Sequence, residues 1–184
     1  MKKTAFVLIS SLFSITWLWA QTSPPDHPNG AQSSVALGIN IPVGEFSETH
    51  LAGISSQYSW SDRRFGILSK LPKKLFGFMA AAGIDYYFGK KESVAGYDYT
   101  YGGYLHLYSF GGVIYNPSKK GNITFTAGPV MNIYKGATDV GFGFILNGSS
   151  YFTGKIAVTP GIMYTKYDKA NALWAASCKA TYIF

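Results

Sequence analysis

FGFMAAAGIDYYF, residues 76–88, alternates in a way that decides the fold. Successive side chains of an extended chain point to opposite sides. Phe76, Phe78, Ala80, Ala82, Ile84, Tyr86 and Phe88 therefore share one face, and Gly77, Met79, Ala81, Gly83, Asp85 and Tyr87 share the other. Rings gather at both ends of the first face, with small residues and Ile84 between them. That order fits a lipid-facing band between two interfacial aromatic girdles. A strand in a soluble core has no need of it.

The same period recurs on both sides of this stretch. Residues 33–43 put Val35, Leu37, Ile39, Ile41 and Val43 against Ser34, Ala36, Gly38, Asn40 and Pro42, the cleanest alternation in the chain. Residues 51–60, 123–134, 140–151 and 155–167 alternate less strictly, and Ile145 breaks the pattern of its segment. The last stretch, 173–184, sets Trp174, Ala176, Cys178, Ala180, Tyr182 and Phe184 on one face. Residues 104–115 are ambiguous, because both faces are apolar; a bulge at Gly111 and Gly112 would switch the register partway. Pro129 and Pro160 fall inside two of these segments and each removes a backbone donor. Bulges beside Gly128 and Gly161 are the expected compensation.

These segments make eight strands joined by turns at alternating ends. The expected fold is all-β: an eight-stranded antiparallel up-and-down transmembrane β-barrel after a cleaved signal peptide. An even strand count puts both termini on one side, periplasmic for an outer-membrane barrel. Residues 44–50, 89–103, 135–139 and 167–172 are then extracellular loops. Residues 61–75 (SDRRFGILSKLPKKL) form a long basic connection at the opposite end, where 65–71 extend the strands or lie on the membrane surface.

The composition of the second face selects a membrane wall over a water-soluble barrel. A soluble barrel turns its apolar face inward and solvates its exterior with charge. Here the second face is Gly, Ala, Ser, Thr and Asn, with few charges beyond Asp85, Lys155 and Lys179. Such residues fill a narrow interior, where Asp85 and Lys179 either pair across the lumen or stand as separate solvated charges.

Lys2 and Lys3 precede an apolar run from Ala5 to Trp19, with Ala20 before Gln21 as the cleavage point. Residues 1–20 are therefore read as a signal peptide. Residues 21–32, with three prolines and the lone His27, are a flexible lead-in, and 33–184 are the barrel. The run is short for a membrane-spanning helix. The single cysteine, Cys178, leaves no internal disulfide. The chain is 17% aromatic and 14% charged with 21 Gly, too apolar for disorder and without the runs of a helical membrane protein. Its net charge of +7 is scattered, with no nucleic-acid-binding stripe or module.

The segments INIPVGEFSETH (39–50), GIDYYFGKKE (83–92), TAGPVMNIY (126–134) and the terminal KATYIF, together with the signal, resemble the small outer-membrane β-barrels of Gram-negative bacteria. They are most similar to Bacteroidetes-type eight-stranded barrels. The resemblance implies the cell outer membrane, outer-membrane lipids as surroundings, and a last strand ending in Phe184 that is read by the barrel-assembly machinery.

Eight strands enclose an interior that side chains can fill. A structural or surface-interaction role through the loops is therefore the first expectation, with Tyr97, Tyr99 and Tyr101 either a binding tip for an extracellular partner or an extension of the girdle. A lipid acyltransferase or lipase is the alternative, resting on His50 near Ser47 and Glu48, or on His106; nothing in the spacing fixes a triad. A narrow channel or small-ligand carrier is the third. No catalytic, cofactor or metal residue is assigned.

Overall fold

The computed structural model describes residues 31–62, 76–94, 96–118, 120–168 and 172–184. The signal, His27 and nearly all of the basic 61–75 connection lie outside them. Eight long strands close on one another: β1 Ala31–Val43, β2 His50–Asp62, β3 Phe76–Gly89, β6 Tyr104–Ser118, β7 Gly121–Tyr134, β8 Ala137–Tyr151, β9 Ile156–Tyr167 and β10 Leu173–Ile183. Each pairs antiparallel with its chain neighbours, and β10 closes the ring on β1. The first strand begins at Ala31, two residues inside the segment read as a lead-in.

Outward faces are apolar, as the alternation predicts. Leu37, Ile39, Ile54, Ile84, Phe125 and Phe142 are all exposed on the outside of the wall. Aromatic rings touch one another at both ends of the wall. Tyr164 and Trp174 (4.6 Å) and Tyr86 and Phe88 (5.3 Å) meet near the loop end. Phe76 and Tyr115 (4.9 Å) and Tyr182 and Phe184 (5.3 Å) meet near the termini. The inner face carries Asn40, Ser59, Asp85, Thr126 and Thr165, all buried.

The ambiguous fourth long strand, β6, keeps one register against β3 through Gly111 and Gly112, so the expected bulge does not form there. Tyr104, His106, Tyr108, Phe110 and Ile114 all point inward. Its sole shift against β7 comes later, between Tyr115 and Ser118. The prolines also lack the expected bulges. Pairing of β7 with β6 lapses between Tyr108–Val130 and Gly111–Ala127 and resumes unshifted, while β7 stays paired with β8 through Pro129. Pro160 behaves alike: it pairs with Cys178 of β10, and the β8 ladder skips past it in register. The missing N–H is absorbed as a gap in one ladder, at no cost in side-chain facing.

Two loops hold structure that alternation did not announce. Residues 46–49 form a single helical turn, α1 (Phe46–Thr49), after Gly44 at φ 73°. Residues 91–100 form a hairpin, β4 Lys91–Val94 with β5 Tyr97–Thr100, which stands apart from the barrel sheet. The third loop is shorter than expected, since β8 begins at Ala137. Lys135 and Gly136 both have positive φ (50° and 82°), the two-residue turn whose twist suits adjoining antiparallel strands.

Candidate functional site

Inside the wall, register places opposite charges and hydroxyls at one level. Asp85 on β3 pairs with His106 on β6, and His106 Nδ1 lies 3.0 Å from Asp85 Oδ2. The carboxylate can only accept, so Nδ1 carries the proton. Lys179 on β10 does not reach across to Asp85. Its Nζ donates to Gln57 Oε1 at 2.7 Å and to the Tyr108 hydroxyl at 3.3 Å, and Tyr108 also donates to Gln57 at 3.1 Å. Asp85 and Lys179 are 1% and 3% exposed. The reading of two separate solvated charges is thus corrected: each is buried and held by its own partner.

On both sides of this layer the interior is aromatic. Tyr87, Tyr104, Tyr108, Phe110 and Tyr167 pack with Val130, Ile145, Met163 and Leu173 into one buried cluster. Ile145 points inward into it, which explains its break in the β8 pattern. Asn40 Nδ2 donates to the Tyr87 hydroxyl at 3.3 Å. Below, toward the termini, a polar cavity of about 50 Å³ is lined by Ser59, Asn122, Thr124, Asn147 and Thr159 among others. The middle of the barrel is filled by side chains, as an eight-stranded diameter allows.

At the loop end the wall opens into a much larger cavity, about 770 Å³. Gly44 turns the chain out of β1, and α1 lays the Phe46 ring on His50, stacked at 4.3 Å and 11°. The same ring stands edge-on to Tyr87 (5.2 Å) and Tyr104 (4.9 Å). His50 in turn meets Tyr104 at 5.6 Å and Tyr134 at 5.8 Å. Lys90 fastens the first loop, donating from Nζ to Ser47 O at 2.5 Å and from its backbone to Thr49 O at 2.9 Å. Tyr101 reaches Glu92 Oε2 at 3.3 Å. Phe46, His50, Tyr101, Tyr104, Tyr134 and Leu173 line the cavity together with Glu45, Glu48 and Asp139.

The tyrosine series divides. Tyr97 is 81% exposed at the hairpin. Tyr99 accepts a hydrogen bond from Lys135 Nζ at 2.8 Å and stacks edge-on with Tyr101 at 4.8 Å. These rings belong to the loops that fence the mouth.

The candidate triads are not assembled. Ser47 Oγ donates to Gly44 O at 2.6 Å, while His50 Nδ1 is engaged by Thr49 Oγ1 at 2.8 Å. His106 has the orienting carboxylate, but its Nε2, the atom that would take a nucleophile's proton, is buried with no hydrogen-bond partner among the described residues. A general base needs its nucleophile within hydrogen-bond reach. The residues that do converge at the mouth, Phe46, Tyr104, Tyr134 and Leu173, come from separate loops and strand ends. Only barrel closure brings them together.

The fold and this inside-out distribution define a class: a closed eight-stranded antiparallel barrel with an apolar exterior and a polar, side-chain-filled interior. No family model matches the chain, and no curated protein is similar to it in sequence. Among solved structures it is similar to Ail, the attachment invasion locus protein of Yersinia pestis. The crystal structure aligns with a TM-score of 0.54 at 10% identity over 85% of this chain and 100% of that one. Ail in complex with the heparin analogue sucrose octasulfate gives 0.56 at 8% identity over 84% and 99%. The outer-membrane protein Ail in a phospholipid bilayer nanodisc gives 0.55 at 11% over 84% and 99%. At such identities the likeness establishes a shared fold.

Proposed function

We propose that this chain is an outer-membrane β-barrel that acts at the cell surface through its loops. The observation that carries the reading is the inversion of polarity across the wall: exposed Leu37, Ile39, Ile54 and Phe142 outside, buried Asp85, His106 and Lys179 inside. A wall of that kind is solvated by hydrocarbon, and aromatic girdles at both ends fit the two interfaces. The filled interior leaves the loops as the surface open to the outside medium. They include an exposed hairpin and a wide mouth. The fold shared with Ail, an outer-membrane protein named for attachment and invasion, is consistent with this reading.

The remaining parts of the proposal rest on sequence. Cleavage after Ala20 releases the chain into the periplasm, the assembly machinery reads β10 and Phe184, and lipids of the outer membrane surround the wall. The Bacteroidetes-type affinity rests on the four quoted segments alone. Neither a catalytic step nor a nucleic acid forms part of the proposal.

Envelope fractionation with gel mobility before and after boiling tests it, paired with conductance in planar bilayers. A heat-modifiable band in the outer membrane and no discrete openings are expected. A soluble periplasmic protein, or steady single-channel steps, would overturn it.

A further inference from the structure

Alternation decides which side of the wall a residue faces. It leaves the register between two strands open by any even number of residues, because the side-chain period is two. Chain connections remove most of that freedom, since a connection of given length limits how far its two strands can slide. Around the ring, neighbouring long strands are consecutive in the chain except β10 and β1, which meet only when the barrel closes. A two-residue slip at that seam keeps every side chain on its own face and moves β10 by about 7 Å. It also changes the stagger of the closed sheet, and with it the strand tilt and width of the barrel. A contact across the seam has to choose among the registers.

Lys179 makes such a contact. It is buried on the inner face of β10, and its ammonium reaches past β1 to Gln57 of β2 at 2.7 Å and to the Tyr108 hydroxyl of β6 at 3.3 Å. Its stem lies on Gly38, its register partner on β1, where an added Cβ would come within 2.8 Å of Lys179 Cγ. A slip of two residues sets Lys179 opposite Ala36 or Asn40, where a side chain occupies the slot that Gly38 leaves open. The same slip carries its Cα about 7 Å from the level of both acceptors. An ammonium buried without its acceptors is costly, so the slipped registers are penalised twice, by charge and by shape. The other buried pair, Asp85 with His106, joins β3 to β6 and does not span the seam. We infer that Lys179, seated on Gly38 and bonded to Gln57 and Tyr108, is the latch that sets the register at which the barrel closes.

Cys178 supplies the probe. It is the free thiol next to Lys179 on the outer face of β10, and it pairs with Ile39 in the native register. A slip of two would set it opposite Leu37 or Ile41 instead. Directly opposed residues lie within disulfide reach, whereas diagonal neighbours, roughly 7–8 Å apart, do not. Ile39→Cys, Leu37→Cys and Ile41→Cys are made singly in the full chain, checked for heat-modifiable folding and oxidised with copper phenanthroline. Mass spectrometry then measures the internal disulfide to Cys178. With Lys179 in place, the bridge is expected from position 39 alone. With Lys179→Met, or with Gln57→Leu should the first fail to fold, yield is expected to be lost at 39 and to appear at 37 or 41. His106→Gln disturbs the buried pair away from the seam and is expected to keep the bridge at 39. A folded Lys179→Met or Gln57→Leu barrel that bridges at 39 alone would overturn the inference, as would slipped bridges that form equally in His106→Gln.

Discussion

Asp85 and His106 face each other across the β3–β6 ladder, and that register alone brings Oδ2 and Nδ1 to 3.0 Å in a layer closed to solvent. Both are almost wholly buried. Removing one member of a buried hydrogen-bonded pair leaves the other without compensation. Asp85→Ala is expected to cost about 3–5 kcal/mol. Asp85→Asn keeps an acceptor for Nδ1–H and should cost clearly less. Urea titration followed by the heat-modifiable band ranks the two, and equal losses would show that the pair contributes only shape.

The same layer limits side-chain size on β3. A Cβ on Gly83 would lie 2.3 Å from the Tyr108 hydroxyl and 2.8 Å from the Ser56 carbonyl oxygen. Gly83→Ala must therefore displace the ring whose hydroxyl links Gln57 and Lys179. Overpacking of this kind costs about 1–3 kcal/mol. The unfolding midpoint should fall, while Gly111→Ala, where an added Cβ meets only Phe78 at 3.6 Å, should change little.

Outside the wall, Lys135 ties the β4–β5 hairpin to the β7–β8 turn through Tyr99, with its ammonium also 5.1 Å from the centre of that ring. The hydrogen bond to Tyr99 is the main cause that raises the Lys135 pKa above the ordinary 10.5. A raised value means the charged form is favoured in the folded loop. The tether is complete below the ordinary value and is lost as pH climbs through the raised one. Lys135→Ala is expected to speed chymotryptic cutting at Tyr97 and Tyr99 at neutral pH. Unchanged cutting would mean the hairpin is held by its own ladder.

Much of this architecture is legible in the chain because an apolar exterior around a polar interior imposes a period of two, strictest in residues 33–43 and 76–88. Leu37 to Val43 and Phe76 to Phe88 could be oriented residue by residue. Legibility fails where the interior is itself apolar. On β6 the inward Tyr104, Tyr108 and Phe110 are as apolar as the outward Leu105, Leu107 and Val113, so the contrast that reveals a face is gone. It fails again in the β4–β5 hairpin, where solvent lies on both sides and no period is imposed. Asp85 could be placed inside, but its partner lay on the one strand whose facing was undetermined. The mouth was least visible, since Phe46, Tyr104 and Tyr134 are far apart in sequence.

The seam between β10 and β1 ends on Phe184. Its N–H donates to Ser33 O at 2.9 Å, and its 68% exposed ring stands against Tyr182 on the outer surface. Deleting Phe184 removes a closing ladder bond and an interfacial ring together. Accumulation of the heat-modifiable form in cells is expected to drop more than after any single loop substitution. Refolding of purified protein into vesicles separates the causes: a normal yield there assigns the defect to recognition during assembly.

Leu37 tests the polarity of the wall most directly. It lies at the centre of β1, is 60% exposed on the outer face, and pairs with Ser56 and Ala180. In a hydrocarbon-solvated barrel, Leu37→Lys places an ammonium near the midplane, at a cost of about 2–4 kcal/mol. In a water-solvated barrel the same change would be neutral or helpful, because an exposed Leu gains little from water. Folded yield in lipid vesicles should therefore fall sharply for Leu37→Lys and stay level for Tyr97→Lys, which alters only the hairpin. The sign of the Leu37 effect distinguishes the two solvents without reference to where the protein resides in the cell. If Leu37→Lys folds as well as the parent, the apolar exterior is not facing lipid, and the surface role proposed for the loops loses its basis.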